Sequence, residues 1–186
     1  MTATGILNRR LATNLDDTFP VFLEEMHGLV FNAARRWLPT HQDAEDVTQE
    51  VFVRAYRALL EYEPDRIREM RLRPWLFTVT VNLCRNHART RGRRPRQQPF
   101  EEGHDGRATA PGAEDAAVNA VAVDEWRDRL AQLQPRQRDA IVLRHVVGLG
   151  YAEIGEVLDR PPGTVKSDVH RGLARLRQIL ATEECQ

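Results

Sequence analysis

The segment YAEIGEVLDRPPGTVKSDVHRGLARLRQIL, residues 151–180, has the pattern of two helices joined by a tight turn. Tyr151, Ile154 and Leu158 recur at helical spacing, and an aspartate, two prolines and a glycine follow within residues 159–163. A second helix is expected to start at Thr164, with an apolar stripe of Val165, Val169, Leu173, Leu176 and Leu180. A short helix, a turn and a basic second helix predict a helix-turn-helix, whose second helix enters the major groove of DNA.

The outward arc of this second helix carries donors suited to phosphates and to base edges. Its members are Lys166, Ser167, His170, Arg171 and Arg175. An ordinary helical hairpin with a solvated basic face has the same pattern, so the arc alone leaves DNA binding and simple solvation both open. Asp168, at the edge of the arc, either pairs with Arg171 or accepts a hydrogen bond from cytosine N4.

The rest of the chain also has helical periodicity, with no strand-like alternation, so we predict an all-α fold. One apolar stripe runs from Phe19 to Trp37, and a second from Ala44 to Leu59 behind an N-cap expected at Asp43. Pro74 suits the first position of a third helix.

Residues 92–122 contain three prolines and four glycines without an apolar period, and this composition predicts a flexible linker. The linker divides the chain into two small helical domains, residues 16–91 and residues 123–182, and the second holds the helix-turn-helix. We expect residues 1–15 to form a disordered N-terminal tail.

The predicted third helix is apolar over more than half its circumference and leaves one polar, cationic strip open. The strip consists of Asn82, Arg85, Asn86 and Arg89, and it continues to Arg91. The loop before the helix, Glu63 to Arg73, carries four arginines. Arginines interleaved with aromatic residues such as Tyr62 and Trp75 suit single-stranded DNA, although a solvated face is the alternative.

The formal net charge is zero, but the charges are segregated along the chain. Residues 85–96 carry six arginines and no acid, residues 101–128 carry eight acids against two arginines, and residues 160–177 carry five basic residues against one acid. Two basic segments around an acidic one suggest two surfaces that contact polyanions.

Enzyme and membrane functions have little support in the sequence. His41 and Glu45 lie one helical turn apart, but no second histidine stands at metal-ligand spacing, and no glycine-rich phosphate loop or nucleophile elbow is present. The two cysteines, Cys84 and Cys185, form no ligand pattern. No apolar run reaches membrane-spanning length, and residues 1–15 lack a secretory-signal pattern. We therefore expect a cytoplasmic protein that is not an enzyme, with no cofactor, no metal and no membrane contact.

Four segments resemble the extracytoplasmic-function sigma factors of RNA polymerase. Residues 43–56, DAEDVTQEVFVRAY, are similar to region 2.2 of that family. Residues 73–77, RPWLF, and residues 82–89, NLCRNHAR, resemble regions 2.3 and 2.4. Residues 133–144, LQPRQRDAIVLR, resemble region 4.1, and residues 150–154 and 162–167 resemble region 4.2. The four segments occur in family order, and the resemblance spans about Asp16 to Ala181.

The resemblance implies an alternative sigma factor that directs promoter-specific transcription. It implies binding to the beta and beta-prime subunits of core RNA polymerase through Asp46, Gln49, Glu50 and Arg54. It implies recognition and melting of the minus-ten element by Arg66, Arg68, Arg71, Arg73, Trp75, Asn82, Arg85, Asn86, Arg89 and Arg91. It implies reading of the minus-thirty-five element by Thr164, Lys166, Ser167, Asp168, His170, Arg171 and Arg175.

The resemblance further implies an anti-sigma partner that would bury these surfaces. The chain departs from the family at Asp168 and Leu173, where basic residues are usual, and residues 66–72 lack an aromatic residue often found in that loop. The alternatives are a stand-alone helix-turn-helix regulator, which leaves the first domain unexplained, and a metal hydrolase built on His41 and Glu45, which lacks ligands.

Overall fold

The computed structural model describes residues 3–93 and 123–183, and within these ranges every regular element is helical. This confirms the all-α prediction. The first domain contains α1 (Ala3–Thr13), α2 (Leu15–Trp37), α3 (His41–Glu61), α4 (Pro64–Glu69) and α5 (Leu72–Arg93). The second contains α6 (123–131), α7 (Pro135–Ile141), α8 (Tyr151–Leu158) and α9 (Pro162–Glu183), and a π-helical turn, Val142–Val146, extends α7.

The core of the first domain lies between α2, α3 and α5. Phe22, Val51 and Phe77 come from these three helices, and each is at most 1% exposed. The N-cap of α3 is Thr40, whose hydroxyl accepts from the backbone N–H of Asp43 at 3.0 Å. The cap expected at Asp43 is therefore wrong by three residues, because Asp43 already lies in the first helical turn.

The N-terminal segment is not the disordered tail that we expected. Residues Ala3–Thr13 form α1, which packs on α2 and α4. Leu11 is 1% exposed, and the side chain of Asn8 is buried against the end of α4. The helix is stabilised by contacts with a distant segment, and tertiary packing of this kind provides most helical stability in proteins.

The arginine-rich loop is also more ordered than its sequence indicated. Residues Pro64–Glu69 form α4, and α5 begins at Leu72, two residues before Pro74. Ile67 is 3% exposed and anchors α4 to the domain core. The four arginines of this segment therefore lie on α4, on the short connection that follows it and at the start of α5.

In the second domain, α8 and α9 form the predicted helix-turn-helix, with α7 packed against α9. A Cβ atom on Gly155 would lie 2.6 Å from the carbonyl oxygen of Arg160, so only glycine allows the turn to close this tightly. Asp159 ends α8 in the left-handed conformation, with φ 53°. The last helix begins at Pro162 instead of Thr164.

The two domains contact each other through α5 and α8, and through α2 and the π-helical turn. Arg35, only 7% exposed, donates to Asp124 at 2.5 Å, and Arg127 donates to the carbonyl oxygen of Pro39 at 2.8 Å. The helix α5 extends to Arg93, so the first two residues of the predicted linker are helical, and residues 94–122 lie outside the described ranges.

Candidate nucleic-acid and polymerase interfaces

The second helix of the helix-turn-helix, α9, presents a continuous exposed surface. Thr164, Lys166, Ser167, His170, Arg171 and Arg175 are all exposed, as their positions on the helical wheel predict. On the opposite face, Val165, Val169 and Leu176 are buried against α7 and α8. The helix therefore offers three fixed cations, a hydroxyl pair and an imidazole on one side, which suits phosphates and the edges of bases.

Asp168 is not on this surface, and its placement on the exposed arc is wrong. The residue is 1% exposed and is surrounded by three arginines. Its carboxylate lies 3.2 Å from Arg171, 3.3 Å from Arg160 and 3.7 Å from Arg136. Of these three ion pairs, only the one with Arg171 was predicted from the sequence, as the alternative to a base contact. A buried carboxylate has no access to a base edge in the groove, so in this conformation Asp168 orders arginines and reads no base.

The strip on α5 is exposed as predicted. Asn82, Arg85, Asn86 and Arg89 all face outward, and Arg89 donates to the amide oxygen of Asn86. Arg85 donates to Asp139 of the second domain at 2.7 Å. The side chain of Arg91 lies outside the described residues. The helix thus places two amides and two cations on one face, three and four residues apart.

The arginines around α4 have distinct partners. Arg66 lies over the ring of Tyr62, 3.6 Å from its centroid, and Tyr62 packs edge-on against Trp75 at 6.1 Å. Arg68 forms an ion pair with Asp65 on the same helix. These contacts build a cationic, aromatic cluster beside the start of α5, a combination that binds stacked bases and backbone phosphates.

Two further arginines of this segment reach the second domain. Arg71 donates to Glu153 at 2.7 Å and to Glu156 at 2.6 Å. Arg73 donates to the carbonyl oxygen of Val147. Sequence reasoning assigned both arginines to DNA and did not identify these partners, because residues more than seventy positions apart share no local pattern.

The exposed face of α3 carries the residues assigned to polymerase. Asp46, Gln49, Glu50 and Arg54 are exposed, and Arg54 donates to Glu50 at 2.6 Å. An apolar groove formed with α2 adjoins this face, lined by Phe19, Leu23, Phe52 and Val53. Val53 is 44% exposed and Leu60 59%, so the surface combines charge with accessible apolar area. The apolar groove was not identified from the sequence, because its residues alternate between two helices.

The remaining candidates from the sequence are Cys84 and the pair of His41 and Glu45. Cys84 is buried, and burial is the main reason why its thiol pKa rises to about 12. His41 pairs with Glu45 at 3.0 Å and contacts Arg35, and no cluster of three metal-ligating side chains occurs among residues 3–93 and 123–183. Within the same ranges, no helix is long and apolar enough to span a membrane. Cys185 lies outside the described residues.

Comparisons with known proteins agree with the geometry. The family description Sigma-70 region 2 matches residues 22–94, and Sigma-70 region 4 matches residues 124–176. The RNA polymerase sigma-H factor of Pseudomonas aeruginosa is 32% identical over 78% of this chain and 77% of its own length. The sigma factor SigW of Bacillus subtilis is 30% identical over 88% of this chain and 89% of its own length.

A third relative, SigE of Mycolicibacterium smegmatis, is 36% identical over 82% of this chain, and the match spans 57% of that longer protein. Among solved structures, CnrH in complex with the cytosolic domain of CnrY superposes with a TM-score of 0.74 at 24% identity, over 97% of this chain and 99% of that one. The sigma factor RpoE, solved with the anti-sigma factor NepR from Bartonella quintana, gives a TM-score of 0.65 at 23% identity, over 88% of this chain and 96% of that one.

A two-domain helical protein with an exposed cationic strip on one domain and a helix-turn-helix on the other has the architecture of a promoter-recognition factor. This chain belongs to the extracytoplasmic-function family of RNA polymerase sigma factors.

Proposed function

We propose that this protein is an alternative sigma factor that joins core RNA polymerase and directs it to a specific class of promoters. One observation carries the proposal: two separate cationic surfaces, on α5 and on α9, occur on the domains that match sigma region 2 and sigma region 4. Such a pair suits a partner that offers opened DNA to one domain and duplex DNA to the other.

The first domain is assigned the minus-ten element. The strip of Asn82, Asn86 and Arg89 would contact the opened strand, and Arg91 is assigned to the same strand on sequence alone. The cluster of Tyr62, Arg66 and Trp75 offers the aromatic faces and the cation that unstacked bases need. Arg68, Arg71, Arg73 and Arg85 complete the proposed minus-ten set.

The second domain is assigned the minus-thirty-five element. Its exposed residues Lys166, Arg171 and Arg175 would bind phosphates, and Thr164, Ser167 and His170 would approach base edges. Asp168 is assigned the support of Arg171 and Arg160 in place of the base contact.

Polymerase binding is assigned to the exposed face of α3 with Asp46, Gln49, Glu50 and Arg54. The adjoining apolar groove supports this assignment, since accessible apolar area beside charge is typical of protein interfaces. The beta and beta-prime subunits are the proposed partners. As a transcription initiation factor the chain would act in the cytoplasm and carry no enzymatic activity of its own.

An anti-sigma protein is the proposed regulator. CnrH and RpoE were each solved with a bound protein, the cytosolic domain of CnrY and the anti-sigma factor NepR respectively. The exposed apolar residues on α3 and the basic strip on α5 offer such a partner both contact types within one domain.

In vitro transcription with core polymerase and a promoter library tests the proposal. Wild-type protein is expected to support promoter-dependent transcripts. Glu50→Lys is expected to weaken polymerase binding in a pull-down, whereas Asn82→Ala with Asn86→Ala is expected to impair open complexes and preserve that binding. A chain that binds operator DNA tightly and yields no transcripts would instead be the stand-alone regulator.

A further inference from the structure

The buried side chain of Asn8 connects α1 to the segment that presents the arginines of α4. Its amide nitrogen donates to the carbonyl oxygens of Ile67 at 2.9 Å and Met70 at 2.7 Å, with a longer contact to Arg68 at 3.4 Å. Asn8 is 3% exposed. These are carbonyls at the C-terminal end of α4, and such groups have no partner within their own helix.

The geometry of Asn8 is specific for a donor. Its amide oxygen is buried and has no hydrogen-bond partner among the described residues. An unpaired buried acceptor is unfavourable, so the favourable hydrogen bonds of this side chain come from its N–H groups alone. Those groups contact two carbonyls of the six-residue helix α4 and the carbonyl of Met70, which directly follows it, and a helix of this length is too short to be stable by itself.

We propose that Asn8 is a positioning residue for minus-ten recognition, acting through α4 and not through contact with DNA. By binding the end of α4, it sets the direction of the turn at Met70 and Arg71 that leads into α5. The proposal rests on the proposed function, in which the cluster of Tyr62, Arg66 and Trp75 binds unstacked bases of the opened strand.

The test compares Asn8→Asp with two controls in the full-length chain. The aspartate has nearly the same shape but faces three carbonyls without an N–H donor. Thr13→Ala changes an exposed residue of α1, and Val30→Ala, at a position that is 0% exposed in α2, lowers stability away from α4. Open complexes are measured with core polymerase on promoters that differ by single bases in the minus-ten element.

We expect Asn8→Asp to reduce the preference for the favoured minus-ten base about fivefold, because Asn8 is in contact with the segment that presents the arginines and residues in contact influence each other energetically. Both controls are expected to keep the wild-type preference. Hydrogen exchange of the free protein is expected to rise over residues 66–72 in Asn8→Asp and in neither control. An unchanged preference, or a change matched by Val30→Ala, would overturn the positioning role. Failure of wild-type protein to support transcription contradicts the proposed function as well, and that result is recognised because it affects every variant.

Arginines of the first domain also form ion pairs and a hydrogen bond with the second domain. Arg71 is bound by Glu153 and Glu156, Arg85 by Asp139, and Arg73 by the carbonyl of Val147. Three of the arginines assigned to minus-ten DNA are therefore engaged by the second domain. These carboxylate and carbonyl oxygens accept hydrogen bonds from the same guanidinium N–H groups that would donate to phosphate oxygens of DNA.

We infer that this acidic surface of the second domain, defined by Asp139, Glu153 and Glu156, docks on the first domain in the free protein and competes with promoter DNA. Arg71 is 51% exposed and its partner Glu156 53%, so solvent and salt weaken this pair, whereas Asp139, the partner of Arg85, is only 8% exposed. The pairs of Arg71 are consequently reversible, and we expect binding to polymerase to separate the domains and release the arginines. The inference also rests on the proposed minus-ten role of these arginines.

A double variant, Glu153→Gln with Glu156→Gln, tests the competition. Glutamine at position 153 can still accept the hydrogen bond from the backbone N–H of Gly150 that stabilises the start of α8. The matched control is Glu183→Gln, which removes a carboxylate that pairs with Arg129 inside the second domain. Binding of the full chain to a single-stranded minus-ten oligonucleotide is measured at low and high salt.

We expect the double variant to bind about tenfold more tightly than wild type at low salt, with the difference shrinking as salt screens the pairs. The control is expected to match wild type. Fluorescence transfer between labels on α3 and α9 should fall in the double variant. Unchanged binding and unchanged transfer would overturn the competition, whereas absence of oligonucleotide binding by every chain would contradict the minus-ten assignment itself.

Discussion

At the scale of single residues, Asp168 has an unusual environment, because one buried carboxylate serves three arginines from three elements. Arg136 comes from α7, Arg160 from the turn and Arg171 from α9. The arginines remain 28–56% exposed, so water compensates them in part if the carboxylate is removed. The carboxylate itself is buried and has no such compensation. The arrangement joins α9 to α7 and to the turn before it.

We therefore predict that Asp168→Asn destabilises the second domain by about 1–3 kcal/mol, the range for a lost buried charged hydrogen bond. Transcription from promoters with single-base changes upstream should fall by a similar factor for every base. Thermal unfolding and a panel of such promoters measure the two effects. Loss of discrimination at one base, with stability unchanged, would restore the base-reading interpretation.

Cys84 is the second residue with a quantitative consequence. Its pKa rises from 9.0 to about 12, chiefly because burial disfavours the thiolate, and the charge of Asp139 adds to this. The thiol is protonated in both the folded and the unfolded chain below about pH 9, so the fold keeps its full stability there. As the pH rises from 9 toward 12, the unfolded chain ionises more readily than the folded one, and the free energy of unfolding falls. Below that range the thiol stays protonated and unreactive.

We predict the reactivity of Cys84 in a chain that carries Cys185→Ser, so that Cys84 is the one remaining cysteine. Iodoacetamide at mildly alkaline pH should modify Cys84 only after unfolding in guanidinium, as mass spectrometry would detect. The melting temperature should also fall more steeply above pH 9 than in the same chain with Cys84→Ala. Rapid modification of the folded protein would show that the thiol is accessible.

At the scale of elements, the helix-turn-helix depends on a close approach between α8 and the turn. Gly155 has no side chain, and a Cβ atom at this position would lie 2.6 Å from the carbonyl oxygen of Arg160. Gly28 in α2 has no atom within 4 Å of its own Cβ position. A side chain is therefore excluded at position 155 and has room at position 28.

We predict that Gly155→Ala destabilises the second domain by about 1–3 kcal/mol, because backbone must move to relieve the contact. Gly28→Ala should stabilise the first domain by about 0.4–1 kcal/mol, since alanine restricts the unfolded chain and fits the helix. Chemical denaturation of the two variants gives both signs. Equal effects of the two substitutions would contradict the role of the close approach.

Local periodicity predicted the long helices, because each has its own apolar stripe, and Pro39 and Pro64 follow the ends of α2 and α3. The stripe of Val165, Val169 and Leu176 is buried as the helical wheel requires. The helix α1 was missed because it is stabilised by packing on α2 and α4, including the hydrogen bonds of Asn8. Asp168 was misplaced for the same reason, since Arg160 and Arg136 approach it from outside its helix.

At the scale of the whole molecule, the sequence indicated two domains and their charges but not how the domains meet. The contacts of Arg71 and Arg85 with the second domain join residues separated by more than fifty positions. No composition or spacing rule links such pairs. Charge segregation nevertheless predicted which surfaces would bear the cations, because the arcs on α5 and α9 depend on helical geometry alone.

Among the described residues, the exposed arc of α9 is the surface that we assign to intact duplex DNA in the free protein. Its three cations, Lys166, Arg171 and Arg175, can neutralise about three phosphates, which gives a salt slope of about −2.7 in log–log form. Affinity would then fall about 40-fold between 50 and 200 mM salt. So few phosphate contacts are too few for tight binding at physiological salt.

We thus predict weak duplex binding by the free chain, with dissociation constants above the micromolar range at physiological salt, and tight promoter binding only with core polymerase. Arg171→Ala should reduce the magnitude of the free chain's salt slope by roughly one unit, because one phosphate contact disappears. Arg57→Ala, an exposed cation on α3, is the charge-matched control and should leave the slope unchanged. Fluorescence anisotropy over a salt series measures both. Tight, sequence-specific binding by the free chain would favour the stand-alone regulator, because a sigma factor needs polymerase to hold both of its DNA-binding surfaces on one promoter.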